Sequence, residues 1–194
     1  GVPEGVEGRA REVLDGLPGR DVDLFVVRLR RWWHDLAEGL GGPYGERHDL
    51  GELLERVAVL LAERYRERAE ELKLLDLERS VRPDWFQDPG TIGYVCYADR
   101  FAGTLDGVGQ HLDYLGELGV CYLHLMPLLA PREGDSDGGY AVRDYRAVDP
   151  RLGTMDDLER MCGLARGRGI SVCVDLVLNH PCARAAKHGF CGEP

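Results

Sequence analysis

The sequence has no run of lysines and arginines that would follow a track of phosphates. Its 24 basic residues are interspersed among 34 acidic ones, for a formal net charge of -10, which argues against nucleic acid as a partner. No apolar stretch approaches the roughly 20 residues that a membrane-crossing helix needs. The opening GVPEGVEGRA also lacks the basic-then-apolar order of a secretion signal. The expectation is a chain that engages no membrane and works in the cytoplasm, and Gly1 in place of Met fits a processed or clipped start. There is no GxGxxG after the first β-prone run, so the phosphate cradle of a dinucleotide-binding sheet is missing, and nothing calls for a cofactor. Cysteine is too sparse for a disulfide scaffold, with six in 194 residues. Cys96, Cys121, Cys162 and Cys173 sit inside apolar runs, where Cys acts as a small hydrophobe. Cys182 and Cys191 lack the close paired spacing of a zinc site, so no metal is expected.

What is present is enough apolar residue, 44% of the chain, to bury a real core in one ordinary domain or two small ones. Residues 1–82 read as a helical N-terminal domain rich in Arg, Glu and Leu. From Asp49, Leu50, Leu53, Leu54, Val57, Leu60, Leu61 and Tyr65 recur at steps of three and four, one apolar helix face. Asp49 stands where a cap belongs, with Glu52 in the capping-box position. An earlier helix around Leu24 to Leu40 carries Val27, Trp32, Trp33 and Leu36 and is predicted to stop at Gly39, Gly41, Gly42 and Pro43. Two adjacent tryptophans cannot share one helix face, so they read as core or interface residues more than as a sugar platform.

Pro83 and Pro89, bracketing Trp85 and Phe86, break the helical pattern, and residues 83–194 read as a second domain. There Ile92 to Tyr97 is β-prone, Leu105, Val108, Leu112 and Leu115 keep helical spacing, and Val120 to Leu125 is β-prone again. A long loop is predicted from Pro127 to Gly153. Thr154, with Asp157 three residues on, caps a helix whose inner face is Leu158, Met161, Cys162 and Ala165, and the run Ile170 to Leu178 reads as a third strand. Such alternation implies parallel pairing through helical crossovers, in either a doubly wound sheet or a (β/α)8 barrel, and periodicity does not choose between them.

Both architectures place their sites at the C-terminal ends of the strands. After the second strand stands Asp137-Gly138-Gly139-Tyr140, whose glycines allow a tight turn aiming Asp137 and Tyr140 into one pocket; a polar surface turn would use the same residues. The third strand ends Asp175-Leu176-Val177-Leu178-Asn179-His180. An acid in so apolar a run is costly to bury without a cation or donors, which makes Asp175 a functional candidate or half of a structural ion pair. His180 suits either a donor to a sugar hydroxyl or a satisfied structural histidine.

DGGYAVRDYRAVDPRLGT (Asp137 to Thr154) followed by DLVLNH (Asp175 to His180) resembles the α-amylase superfamily, the glycoside hydrolases and transglucosidases of glycoside hydrolase family 13. GYVCYADRFAGTLDGVGQHLDYLGELGV with YLHLMPLL (Gly93 to Leu129), preceded by PDWF and a helical segment, is similar to the sucrose-acting branch, the amylosucrases. The resemblance implies the first three or so strands of a (β/α)8 TIM barrel after an all-helical N-terminal domain. It further implies an α-retaining glucosyl transfer from sucrose to an α-glucan with release of fructose, and neither cofactor nor metal. By resemblance, Tyr140 is the aromatic platform under the glucose ring and Asp137 the acid that pairs with a late-barrel arginine. His180 is a donor to the bound glucose, and Asp175 the strand acid that orders the site's arginine. In the family the nucleophile and the general acid/base stand on strands four and five, so no catalytic residue is expected in this chain, which is predicted inactive by itself. After His180 the tail PCARAAKHGFCGEP departs from the family, as a shifted reading frame or abrupt gene end would produce. Two other readings are another α-glucoside hydrolase or isomerase of the superfamily, and a non-catalytic helical interaction module.

Overall fold

The computed structural model describes residues 1–46 and 48–177. The chain divides into two compact units, Gly1–Val81 and Arg82–Pro194. The described part of the first unit builds only helices: α1 (Glu4–Val13), α2 (Gly19–Tyr44), α3 (Leu50–Glu67) and α4 (Glu70–Val81). No helix among the described residues is long and apolar enough to cross a membrane. Val6, Ala10 and Leu14 of α1, Phe25, Val26, Leu29 and Trp33 of α2, and Ala58, Ala62 and Tyr65 of α3 form one core. The alanines of α1 and α3 are fully buried, because small side chains let two helix backbones approach closely.

That core differs from the stripe predicted for α3. Leu60 and Leu61 are exposed, while Ala58 and Ala62 turn inward beside the predicted Tyr65, since close approach to α1 selects the small residues. Asp49 occupies the N-cap position of α3, but its side chain makes no cap hydrogen bond. Trp33 is buried whereas Trp32 is exposed, as adjacent positions on one helix require. α2 runs on through Gly39, Gly41, Gly42 and Pro43 to Tyr44 instead of stopping there. A helix already nucleated and anchored by Phe25, Leu29 and Trp33 pays only propagation costs for each further residue, and the proline falls in its last turn.

The second unit opens with a 3-10 turn (Trp85–Gln87) and continues β1 (Ile92–Cys96), α5 (Ala98–Ala102), α6 (Leu105–Gln110), α7 (Leu112–Glu117), β2 (Val120–Leu125), β3 (Leu129–Pro131), β4 (Val142–Val148), α8 (Met155–Gly167) and β5 (Ser171–Val174). β1, β2 and β5 form a parallel three-stranded sheet in the order β1-β2-β5. Each crossover therefore steps one place in the same direction. Leu123 and Leu125 of β2 are fully buried and share a core with Leu105, Val108, Leu112 and Leu115 before the strand and Met161 and Ala165 of α8. Helices from both crossovers thus cover the same sheet face. A doubly wound sheet needs a reversal of strand order and helices on both faces; the described strands show neither, and their order is that of a barrel wall.

The predicted loop from Pro127 to Gly153 contains an antiparallel ribbon, with Leu129 opposite Val148, Ala130 opposite Asp144 and Pro131 opposite Val142. β5 closes at Val174, short of the predicted Leu178, because its ladder partner ends where Val174 meets Leu125. Thr154 caps α8 as its sequence predicts: Thr154 Oγ1 accepts from the Asp157 N–H at 3.2 Å and Asp157 Oδ2 accepts from the Thr154 N–H at 2.8 Å. Cys96, Cys121, Cys162 and Cys173 are all free thiols.

Candidate functional site at the C-terminal ends of the parallel strands

Side chains alternate across a strand, so the residues between Leu123 and Leu125 and their neighbours face away from the helices. Val95, His124 and Cys173 stand in one row across that second face. Asp175 follows two residues after Cys173, one residue past the end of β5. Its carboxylate is held twice: His124 Nε2 lies 2.9 Å from Oδ1, and the Tyr140 hydroxyl donates to Oδ2 at 3.1 Å. A carboxylate only accepts, so the His124 ring carries its proton on Nε2 in this contact. Two residues on, the Tyr145 hydroxyl donates to the Val177 carbonyl.

Tyr140 arrives from the turn between β3 and β4, and that turn is built from three successive positive-φ residues: Asp137 at 51°, Gly138 at 66° and Gly139 at 95°. Asp137 is the sole non-glycine with positive φ among the described residues; Asp tolerates that region better than most side chains. A Cβ on Gly138 would meet the Tyr97 hydroxyl at 3.2 Å, and one on Gly139 would meet Pro127 at 3.4 Å. The glycines therefore supply both the left-handed turn and its close seating against Tyr97, just past β1, and Pro127, just past β2. The turn is closed by Gly139 N–H and Ala141 N–H, both donating to the Ser136 carbonyl at 3.0 Å.

Electrically the cluster is acidic. Burial, followed by the hydrogen bond to Asp175 and its charge, raises the Tyr140 phenol above its ordinary value, with Tyr97 and Asp137 adding to the effect. Asp137 itself is exposed. Among the described residues its carboxylate has no hydrogen-bond or ion-pair partner. Of the residues singled out in the sequence, the structure thus brings Tyr140 and Asp175 into contact and sets Asp137 at the same turn. His180 and Asn179 lie outside the described residues. His124 and Tyr97 were missing from the sequence reading. The signal for His124 was a lone imidazole in the apolar run VCYLHL, a group that needs a partner when half-buried; Tyr97 left no signal beyond its place at a strand end.

Among the described residues no three His, Cys, Asp or Glu side chains group closely enough to hold a metal ion. A cavity of about 450 Å³ lies wholly within the helical unit, against Phe25, Trp33, Tyr65 and Arg68, and no pair of carboxyls suited to acid/base work lines it. The strand-end cluster offers an aromatic ring, an exposed acid and an anchored acid. These are groups that suit the C–H faces and hydroxyls of a sugar.

Comparison with known proteins accords with this placement. A family model described as "Alpha amylase, catalytic domain" matches residues 79–188. The chain is 41% identical over 105 residues to trehalose-6-phosphate hydrolase of Escherichia coli K12, covering 50% of this chain and 18% of that protein. It is 40% identical over 79 residues to oligo-1,6-glucosidase of Heyndrickxia coagulans, covering 40% of this chain and 14% of that protein. The solved structure of the trehalulose synthase MutB from Pseudomonas mesoacidophila MX-45 aligns with a TM-score of 0.45 at 30% identity, covering 49% of this chain and 18% of that one. The chain therefore spans less than a fifth of the length of each of these relatives. With more than half of its residues matched to the catalytic domain, and a parallel strand order of the barrel type carrying polar groups at the expected strand ends, the chain belongs to the alpha-amylase family and holds part of its TIM-barrel catalytic domain.

Proposed function

We propose that this segment forms the glucosyl-binding side of an α-retaining transglucosidase that takes glucose from sucrose, releases fructose and extends an α-glucan. The observation that carries the reading is the meeting of Tyr140 and Asp175 beside Asp137, at the ends of strands where the family places its site. In this reading the Tyr140 ring lies under the glucose. Asp137, exposed and lacking a cation among the described residues, takes an arginine from a later part of the barrel and closes the pocket. Asp175 fixes the platform, and its oxygens each keep a lone pair for a further donor. His180 is assigned a hydrogen bond to the sugar on motif position alone.

Glucosyl transfer with retention needs a nucleophilic carboxylate and an acid/base carboxyl about 5 Å from it. Asp175 is committed to His124 and Tyr140 and is not assigned either role; the pair is expected on later strands. The choice of sucrose rests on the order of helical segment, DRFAGTL and DGGYAV. Hydrolysis or isomerisation of another α-glucoside is the second reading, favoured by relatives whose names are those of a trehalose-6-phosphate hydrolase, an oligo-1,6-glucosidase and a trehalulose synthase. The binding side described here reads glucose and not the leaving group, so it serves both. The test supplies the full-length protein that carries this segment with sucrose, isomaltose or trehalose 6-phosphate and analyses the products. Fructose plus a lengthening glucan is the expected result. Glucose release from the other two substrates, with sucrose untouched, would replace the first reading with the second.

A further inference from the structure

We infer that His124 is a positioning residue of the glucosyl pocket: through Asp175 it sets the seat of the Tyr140 ring. The inference rests on the reading of Tyr140 as a sugar platform, and its structural half stands independently of that reading. His124 reaches Asp175 Oδ1 at 2.9 Å while Tyr140 donates to Oδ2 of the same carboxylate at 3.1 Å. One carboxylate bridging two donors has little rotational freedom, so turning it to serve one donor disturbs the other.

The placement follows from the sheet. His124 is flanked in its row by Val95 on β1 and Cys173 on β5, neither of which competes for the imidazole as a strong acceptor. The nearest carboxylate on that face is two residues further along the neighbouring strand, beyond its last ladder pair, where the backbone is no longer held by β2. Asp175 thus stands on unladdered backbone, and the His124 side chain supplies an anchor that the sheet does not. Tyr140 in turn hangs from a turn of three left-handed residues, seated on Tyr97 and Pro127. Its hydroxyl bond to Asp175 is the tie that fixes the ring from its far end. The bridge therefore joins β2, the residue just past the end of β5 and the β3–β4 turn.

The consequence is a role in donor affinity. A platform that touches the sugar equally in ground and transition states changes KM more than kcat. The experiment compares H124L, H124Q, Y140F and the double variant H124L/Y140F in the full-length protein, on whichever glucoside it turns over. H124L removes the donor, and Y140F keeps the ring but cuts its tie. Each is expected to raise KM about tenfold, the loss of one hydrogen bond to a charged group, with kcat within about threefold. H124Q, whose amide also donates, is expected to recover most of the loss. Because both substitutions break the same bridge, the double variant is expected to be no worse than about twofold beyond either single one. Multiplying effects in the double variant, or no recovery in H124Q, would overturn the proposal, since a histidine that only fills space in the sheet has no reason to couple to a phenol oxygen.

A second readout needs no turnover. In the chain labelled with 15N-histidine, the His124 ring is expected in the Nε2–H tautomer, with its ring nitrogen shifts moving in both D175N and Y140F. Shifts that respond to D175N and ignore Y140F would refute the bridge even in an active enzyme. Shifts that respond to both, in a protein that processes no glucoside, would leave the bridge standing and remove the functional reading instead.

Discussion

Gly153 is a position where a single methyl group should be costly to the turn that leads into α8. Its φ is +140°, a conformation that L side chains rarely adopt, and a Cβ there would stand 2.7 Å from Asp157 Oδ2 and 3.2 Å from Asp157 Cβ. That carboxylate caps α8 by accepting from the Thr154 N–H at 2.8 Å and the Thr154 hydroxyl at 2.9 Å. Gly153→Ala therefore imposes two penalties: about 1–3 kcal/mol for a non-glycine residue held in a sparse backbone region, and about 1 kcal/mol for the disturbed cap. Thr154→Ala incurs only the second, about 1 kcal/mol. The cap can be lost only once, so the double variant should fall short of the sum of the two by about 0.5–1 kcal/mol. Native-state hydrogen exchange at the α8 amides Leu158 to Ala165 measures each loss locally. Thr154 and the hydrogen bonds to its backbone and hydroxyl hold the Asp157 carboxyl below its ordinary range, with Arg160 assisting. A depressed carboxylate stabilises above the ordinary aspartate range and loses that contribution as pH falls through its folded value, so the Thr154→Ala difference should shrink in acid. Protection in Gly153→Ala equal to the parent, or strict additivity in the double variant, would refute this account of the turn.

Three further outcomes are expected. Asp175→Asn removes the charge beside Tyr140 and should lower its phenol from its raised value while burial keeps it above the ordinary one, which a tyrosine ultraviolet titration compared with Y140F resolves. Leu123→Ala opens a hole at a fully buried position between β2 and its covering helices and should cost about 2–5 kcal/mol in urea unfolding of the second unit. In the helical unit, Asp21 is 2% and Lys73 7% exposed, with Lys73 Nζ 3.7 Å from Asp21 Oδ2. Lys73→Met should destabilise by about 1–3 kcal/mol, because it removes the cation facing Asp21 Oδ2, a buried oxygen without a hydrogen bond, while Arg20 Nε keeps Oδ1 at 3.2 Å, and adding Asp21→Asn should restore part of the loss in thermal unfolding.

How much of this was legible in the sequence depended on whether the signal was local. The capping box of α8 lies within four residues, and Val120 to Leu125 is bounded by Gly119 at φ +77° and by Pro127; both were readable and both stand in the structure. The β3–β4 ribbon was not, because β3 has three residues and its register slips between each pair, leaving no alternation to detect. The end of α2 misled for the opposite reason: Gly39 to Pro43 are strong local stop signals, overridden by a helix anchored upstream at Phe25, Leu29 and Trp33. The site divides along the same line. Asp137 and Tyr140 were legible through the glycines between them, which encode a backbone shape. Asp175 was legible as an acid out of place in an apolar run. His124 carried the same anomaly in weaker form, and what makes it matter is a contact with a residue 51 positions later that no spacing rule anticipates. A motif therefore locates the residues that need unusual backbone or unusual solvation, while the tie that sets them relative to one another comes from strand register. A histidine two rows below the site on the next strand becomes part of it only once β2 and β5 are paired.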